Sequence, residues 1–228
     1  MNQTLLQAAA LVIPLILAIV FHEVAHGWTA LALGDPTALE KRRLSLNPLR
    51  HVDPFGTVIL PGSLALAGAP IFGWAKPVPV NRWRLRDPRR GMMVVAAAGP
   101  ASNLVLAAIG AVLLGLLVRL AGAAESDALQ FVAMNLNNFI MINVFLALFN
   151  LLPIPPFDGS HIIEGLLPQG LADSYARLRP YGFPLLIVLL LVVPYFFPQW
   201  GLVGRLVQPP VLWMSEHYYA LAKLVAGV

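Results

Sequence analysis

Two histidines and a glutamate share one short stretch near the start of the chain. His22 and His26 are four residues apart, so a helix would place both imidazoles on one face, where they can bind a single zinc ion. Glu23 lies beside the pair, where its carboxylate could act as general base on a water molecule at the metal. In a chain of this composition, chance produces this triplet about two times in a thousand. The spacing therefore predicts a catalytic metal site.

A catalytic zinc site needs a third protein ligand and one open position. Asp158 is a candidate because it ends a proline-rich segment that begins at Asn150. The same position would suit the N-cap of a short helix over residues 160–167, and the residues alone do not choose between the two roles. Among the other candidates, we expect Glu40 to be solvated in a charged loop and His161 to lie near the metal rather than on it.

The composition places these residues in a membrane protein. The chain has 228 residues, of which 58% are hydrophobic and 11% are charged, and its mean hydropathy is +0.75. A typical soluble domain is about 45–50% apolar and about 25% charged, so the composition excludes a disordered chain and argues against a soluble enzyme. The chain has no cysteine, which excludes disulfides and thiolate metal ligands. Ionisable residues inside an apolar span are costly, which favours a functional role for the two histidines and the glutamate.

Apolar segments predict an all-α polytopic membrane protein, which we treat as a single domain over residues 1–228. Both flanks of the apolar stretch after the first span are basic, so we predict a re-entrant, extended, β-like loop there instead of a full crossing. The last segment mixes aromatic and charged residues, which is typical of an interfacial helix. The predicted elements are spans at 5–33, 91–120, 131–152 and 181–198, the re-entrant segment at 56–80, and the interfacial helix at 207–226.

The basic residues are concentrated in one part of the chain. Ten of the 15 lysines and arginines lie between Lys41 and Arg90. By the positive-inside rule, this excess puts loop 34–90 on the cytoplasmic side, and the acidic loop 121–130 suits the outer side. We expect the basic residues to face anionic lipid of the bilayer, and we expect no nucleic-acid partner. The composition favours a prokaryotic plasma membrane.

Three motifs, in this order along the chain, resemble those of the site-2 proteases, which are intramembrane zinc metalloproteases. They are His22-Glu23-Val24-Ala25-His26 in the first span, Gly99-Pro100-Ala101-Ser102-Asn103 in the second, and Asn150-x-x-Pro153 leading to Asp158-Gly159 after the third. The resemblance covers residues 5–180, and the combination is far more specific than any one motif. The short, proline-rich region Trp74–Val80 is similar to that of small prokaryotic members. Many relatives carry a PDZ or CBS domain, for which the length of this chain leaves no room.

The resemblance implies a three-helix catalytic core with one or two further spans, and an endopeptidase that cuts transmembrane segments of other membrane proteins. By that resemblance, His22, His26 and Asp158 ligate Zn²⁺, and Glu23 activates water. Asn103 and Asn150 would help to hold the substrate or the oxyanion. The zinc motif lies in the first span here, whereas many relatives have a span before it.

Two other functions stay open at this point, and so does the oligomeric state. One is a non-proteolytic metal-binding membrane protein, such as a divalent-metal transporter. A transporter would be expected to show repeated halves, and the chain shows none. The other is an inactive scaffold, against which the intact Glu23 argues.

The stretch 73–80 contains two prolines that each push the preceding residue into an extended conformation. A substrate helix has to unwind before its backbone can be cut. We therefore predict that this stretch supplies an edge strand with which the unwound substrate pairs, and that replacing Val78 and Val80 by glycine slows cleavage without loss of zinc.

Overall fold

The computed structural model describes residues 3–66, 73–121, 126–197, 199, 201 and 203–228. This part of the chain is mainly helical and contains no β-strand, which confirms the all-α prediction. Residues 73–81 have no regular secondary structure, so the β-like character of this stretch stays a prediction.

Ten α-helices can be numbered along the described residues. The ranges are α1 Gln3–Ala32, α2 Thr37–Glu40, α3 Leu60–Leu66, α4 Pro88–Ala121, α5 Asp127–Asn150, α6 Asp158–Leu166, α7 Gln169–Ala176, α8 Gly182–Ile187, α9 Val193–Phe196 and α10 Gln208–Ala226. Short π-helical stretches at Pro54–Ile59, Val188–Val192 and Val203–Val207 precede α3, α9 and α10, respectively.

Four helical segments among the described residues are long and apolar enough to cross a membrane. They are Leu6–Ala32, Pro88–Ala121, Asp127–Asn150 and Gln169–Phe196. The first three agree with the spans expected from the sequence. The expected fourth span, 181–198, lies in a helical segment that already begins at Gln169, because the 3₁₀ turn Arg179–Tyr181 keeps the backbone helical between α7 and α8. Where the membrane begins along this segment stays a prediction. The expected end of the span at residue 198 lies outside the described residues, as does part of the acidic loop 121–130.

A proline inside α1 explains one contact between the spans. Pro14 has no N–H, so the carbonyl of Ala10 lacks its helical donor. The side chain of Asn138 on α5 donates to Ala10 O at 2.8 Å and takes the place of that bond. In an apolar environment a carbonyl without a donor is costly, so this hydrogen bond fixes α5 against α1.

Helix α10 packs lengthwise on α4. Its buried residues Val211 and Ala222 share a hydrophobic cluster with Ala107 and other residues of α4 and α5. The hydroxyl of Tyr218 donates to the carbonyl of Leu104 at 3.0 Å. The structure therefore places this helix beside the spans, and its predicted location at the membrane interface stays a prediction.

The apolar stretch after α1 folds back on itself, so that its two ends lie side by side. The backbone N–H of Trp74 donates to Gly56 O at 3.1 Å, and that of Lys76 donates to His51 O at 2.8 Å. The indole of Trp74 lies so close to Gly56 that a Cβ at residue 56 would collide with it. The two ends of the apolar stretch thus meet, as a re-entrant element requires, while its residues 67–72 lie outside the described residues.

Candidate metal centre

Three side chains from two helices converge at one point. His22 and His26 come from α1, and Asp158 is the first residue of α6. The two Nε2 atoms are 3.1 Å apart, and Asp158 Oδ2 lies 3.1 Å from His22 Nε2 and 3.3 Å from His26 Nε2. A tetrahedral zinc ion with bonds of about 2.0–2.1 Å separates its ligand atoms by about 3.3–3.4 Å. The triangle therefore has the size of three zinc ligands with a fourth position left open.

The hydrogen bonds behind the two imidazoles determine where their protons lie. His22 Nδ1 donates to Asn103 Oδ1 at 2.5 Å, and His26 Nδ1 donates to the carbonyl of Val95 at 2.7 Å. The acceptor for His26 is a backbone carbonyl. The acceptor for His22 is the amide oxygen of Asn103, because the amide nitrogen of Asn103 donates to other groups. A ring that carries its proton on Nδ1 alone presents the lone pair of Nε2 to the centre, as metal-binding histidines do.

The surroundings of the Asp158 carboxylate indicate whether a cation fits between the three side chains. With both Nε2 atoms unprotonated, no hydrogen lies between them and Asp158 Oδ2. This buried oxygen has no hydrogen-bond donor in the described part of the chain. Two lone pairs and a carboxylate oxygen in contact repel one another unless a cation lies between them. The donor set therefore fits a divalent metal, and two imidazoles with one carboxylate is a ligand set typical of catalytic zinc.

Asp158 is the first residue of helix α6 and is not its capping residue. The N-cap of α6 is Phe157, and no side chain makes a capping hydrogen bond there. A Cβ at Gly159 would collide with the carbonyl of Leu151, so only glycine lets α6 begin this close to the end of α5. The capping alternative for Asp158 is thus not the one that the structure adopts.

Helix α4 approaches the metal centre from behind the histidines. A Cβ at Gly99 would collide with the rings of both His22 and His26, so this glycine permits the close packing of α4 on α1. Asn103 is fully buried; its amide nitrogen donates to Asn143 Oδ1 at 2.7 Å and to Ala18 O at 3.2 Å. The structure thus places Asn103 behind His22, where its oxygen holds the ring.

Glu23 points into the same cavity as the ligands. Its Oε2 accepts a hydrogen bond of 2.7 Å from the backbone N–H of Val78 in the extended stretch. The cavity has a volume of about 1500 Å³, and its walls are mostly apolar, with Trp74 and Phe183 among them. Asn150 also lines the cavity, and its amide nitrogen donates to Leu146 O at 2.9 Å.

The remaining two candidates are not part of the ligand triangle. Glu40 pairs with Arg84 at 2.7 Å on the exposed surface. His161 lines the cavity beside the centre. Burial and the neighbouring positive charge of Arg179 hold the pKa of His161 below its ordinary value of 6.5, so this ring is neutral at pH 7.

A buried acidic residue fixes α6 to two other segments, a role that no sequence pattern indicates. The carboxylate of Glu164 forms an ion pair with Arg179 and lies 3.6 Å from Arg82. The guanidinium of Arg89 donates to the backbone carbonyl of Glu164 at 3.1 and 3.2 Å. Reasoning from sequence also missed Asn143 and the backbone N–H of Val78. A polar residue inside an apolar span was the available signal for Asn143, and no sequence signal marks a backbone donor.

Comparisons with known proteins agree with this geometry. The sequence profile described as Peptidase family M50 matches residues 10–193. The chain is 41% identical over 198 residues to "Putative zinc metalloprotease YwhC" of Bacillus subtilis, which covers 85% of both chains. It is 30% identical over 179 residues to "Putative zinc metalloprotease Rip2" of Mycolicibacterium smegmatis, which covers 78% of this chain and 65% of that protein. No solved structure matches the chain.

Proposed function

The chain belongs to peptidase family M50, and from that premise we propose how its own residues carry out the hydrolysis of a peptide bond within a membrane. The protein is an integral membrane zinc metalloprotease. Neither of the two alternatives, a divalent-metal transporter or an inactive scaffold, is favoured by the family or by the names of the relatives.

The observation that carries the site assignment is the triangle of Nε2, Nε2 and Oδ2 atoms with edges of 3.1–3.3 Å. We assign His22, His26 and Asp158 as the ligands of zinc. When bound, zinc supplies a Lewis acid that polarises the scissile carbonyl and makes a water molecule more acidic. The remaining steps depend on side chains of the protein.

Glu23 is the proposed general acid–base. Its carboxylate accepts a proton from the attacking water and then passes this proton to the nitrogen of the leaving amine. Asn150 lies in the cavity wall, where its side chain can hold the substrate or the tetrahedral oxyanion. For Asn103 we propose a positioning role on His22 in place of the oxyanion role, because the residue is fully buried and its side-chain amide already bonds to three partners.

The proposed substrate is a transmembrane segment of another membrane protein, which enters the cavity in an unwound form. A cavity of about 1500 Å³ exceeds the volume of most small-molecule pockets, which hold about 300–1,000 Å³. Its apolar walls suit the side chains of such a segment. Pairing of the substrate with stretch 73–80 stays a prediction, and the N–H of Val78 is already bonded to Glu23 in this conformation.

Two variants test the proposed function. Purified wild-type protein is expected to hold about one zinc per chain, and Asp158→Ala is expected to lose it because two imidazoles alone form an incomplete site. Glu23→Gln is expected to keep the zinc and to abolish cleavage of a membrane-protein substrate in detergent or liposomes. Zinc content is measured by elemental analysis. Unchanged zinc in Asp158→Ala would show that the third ligand is misassigned, and cleavage by Glu23→Gln would refute the proposed role of Glu23.

A further inference from the structure

We propose that the backbone N–H of Val78 is a positioning group for Glu23, which holds one carboxylate oxygen so that the other is presented to the reacting water. This inference rests on the proposed function, in which Glu23 is the general base. It assigns a role to the extended stretch in addition to substrate pairing.

The contact is short and is made by a buried residue. Val78 N and Glu23 Oε2 are 2.7 Å apart, and only 7% of Val78 is exposed. A hydrogen bond to a carboxylate is about twice as strong as one between neutral groups, and more so away from water. The side chain of Val78 packs on α1 at Gly27, where any Cβ would collide with it. The donor is therefore held against the same helix that carries its acceptor.

The sequence around Val78 makes this donor rigid. Pro77 and Pro79 fix their own φ angles, and Pro79 keeps Val78 extended. Neither proline has an N–H, so residues 76–80 contain only three backbone amides. The amide of Lys76 donates to His51 O, that of Val78 donates to Glu23, and that of Val80 has no acceptor among the described residues.

Both ends of the stretch are anchored. On one side, the carbonyl of Lys76 accepts a hydrogen bond of 2.8 Å from Arg43. On the other side, the N–H of Asn81 donates to Asp35 Oδ2 at 2.6 Å. Asp35 is fully buried, and its other oxygen accepts from the backbone and the hydroxyl of Thr37. The position of the Val78 N–H is thus set by groups outside the cavity and does not depend on a substrate.

A glutamate side chain has three rotatable bonds, and an unanchored one would spend much of its time away from the reacting water. Loss of alignment by about 1 Å can lower a rate about a hundredfold. Because Glu23 acts in the proton-transfer steps and is not proposed to bind the substrate, the loss is expected in kcat with KM unchanged. Zinc binding should also stay unchanged, because neither Val78 nor Glu23 is a ligand.

The test removes one N–H at a time. Val78→Pro deletes the donor to Glu23, and Val80→Pro deletes the amide without an acceptor from the same stretch, so the second variant is the matched control. Val78→Ala keeps the donor and shortens the side chain. We expect kcat to fall about tenfold to a hundredfold in Val78→Pro at wild-type zinc content. Val78→Ala is expected to keep a higher kcat than Val78→Pro, and Val80→Pro, which removes an amide from the predicted substrate-pairing stretch, is expected to act on KM. Equal kcat in Val78→Pro and Val80→Pro would overturn the proposal.

A second measurement needs no activity and no proline substitution. Hydrogen–deuterium exchange of residues 76–80 reports only three amides, so the Val78 amide can be followed directly. In Glu23→Ala this amide is expected to exchange about tenfold to a hundredfold faster, while the Lys76 amide keeps its protection. Unchanged protection at Val78 would overturn the proposal. Failure of the proposed function is distinguishable, because it would appear as full cleavage by Glu23→Gln whatever the behaviour of Val78.

Discussion

At the scale of single residues, the metal centre depends on what lies behind each imidazole. Nδ1 of His26 is held by a backbone carbonyl, which no substitution can remove. Nδ1 of His22 is held by the side chain of Asn103, which is itself oriented by Asn143. Partners of this kind fix the ring and its tautomer, and their loss typically lowers metal affinity about tenfold to a hundredfold. Asn103 is therefore where the centre can be weakened without touching a ligand.

Asn103→Leu should lower zinc affinity about tenfold to a hundredfold, because His22 loses the acceptor that orients its ring. Competition with a chelator measures this affinity directly on the purified protein. The matched control is Asn150→Leu, which replaces the amide in the cavity wall and should slow cleavage at wild-type zinc affinity. If both variants bind zinc like the wild type, Asn103 does not position His22.

Residue spacing predicted only what one helix determines. The interval from His22 to His26 was sufficient to place both rings on one face, and their Nε2 atoms are 3.1 Å apart in the structure. Spacing does not choose between the ligand and capping roles of Asp158, because the spacing within one helix says nothing about a residue on another element. The N–H of Val78 could not be foreseen at all, because every residue except proline has a backbone donor and only tertiary structure selects one.

At the scale of elements, α6 matters because it carries a proposed ligand, Asp158, at its first residue. Its other end is held by Glu164, whose carboxylate lies between Arg179 after α7 and Arg82 before α4. The side chain of Glu164 is 11% exposed, whereas those of the two arginines are about one-third exposed. Removal of one partner from a buried ion pair leaves uncompensated charge and is more costly than loss of a surface pair.

Glu164→Gln is expected to lower the free energy of unfolding by about 3 kcal/mol, the lower end of the range for a broken buried pair, because the arginines are partly solvated. Its control is Glu40→Gln, which breaks the exposed pair with Arg84 and should cost about 0–1 kcal/mol. Thermal unfolding in one detergent compares the two variants with wild type. Equal losses would mean that Glu164 does not fix α6.

The spans were predictable because long apolar segments have few alternatives in a membrane. The start of the helical segment that contains the fourth span was not predictable, because the polar residues of α7 give no apolar signal. The segment nevertheless begins at Gln169. The return of the chain from Gly56 to Trp74 was indicated only indirectly, by basic residues on both flanks.

At the scale of the whole molecule, several contacts place two loops on the same side of the bundle. Arg82 and Arg89 of the basic loop both contact Glu164 of α6, and Tyr175 of α7 donates to Pro153 O at 2.8 Å. The segment 153–179 therefore lies beside loop 34–90, and the helix ends at Ala121 and Asp127 lie at the other end of the spans. If the basic loop is cytoplasmic, as its charge predicts, the part of the cavity wall formed by Trp74 and Asp158 lies towards the cytoplasmic side.

The absence of cysteine makes this orientation directly testable, because each single-cysteine variant carries one thiol. The exposed positions Lys41, Gln130 and Arg177 sample the basic loop, the start of α5 and the end of α7. In intact cells, a membrane-impermeant maleimide should label Gln130→Cys alone, and it should label all three variants once the membrane is opened. Lys41 and Arg177 lie on the side of the bundle where Glu164 contacts Arg82 and Arg89. The two cysteine variants must therefore both be labelled in intact cells or both be protected, whichever orientation the protein has. If those two variants are labelled and Gln130→Cys is not, the protein has the opposite orientation in the membrane. The metal centre would then lie within reach of the outer face.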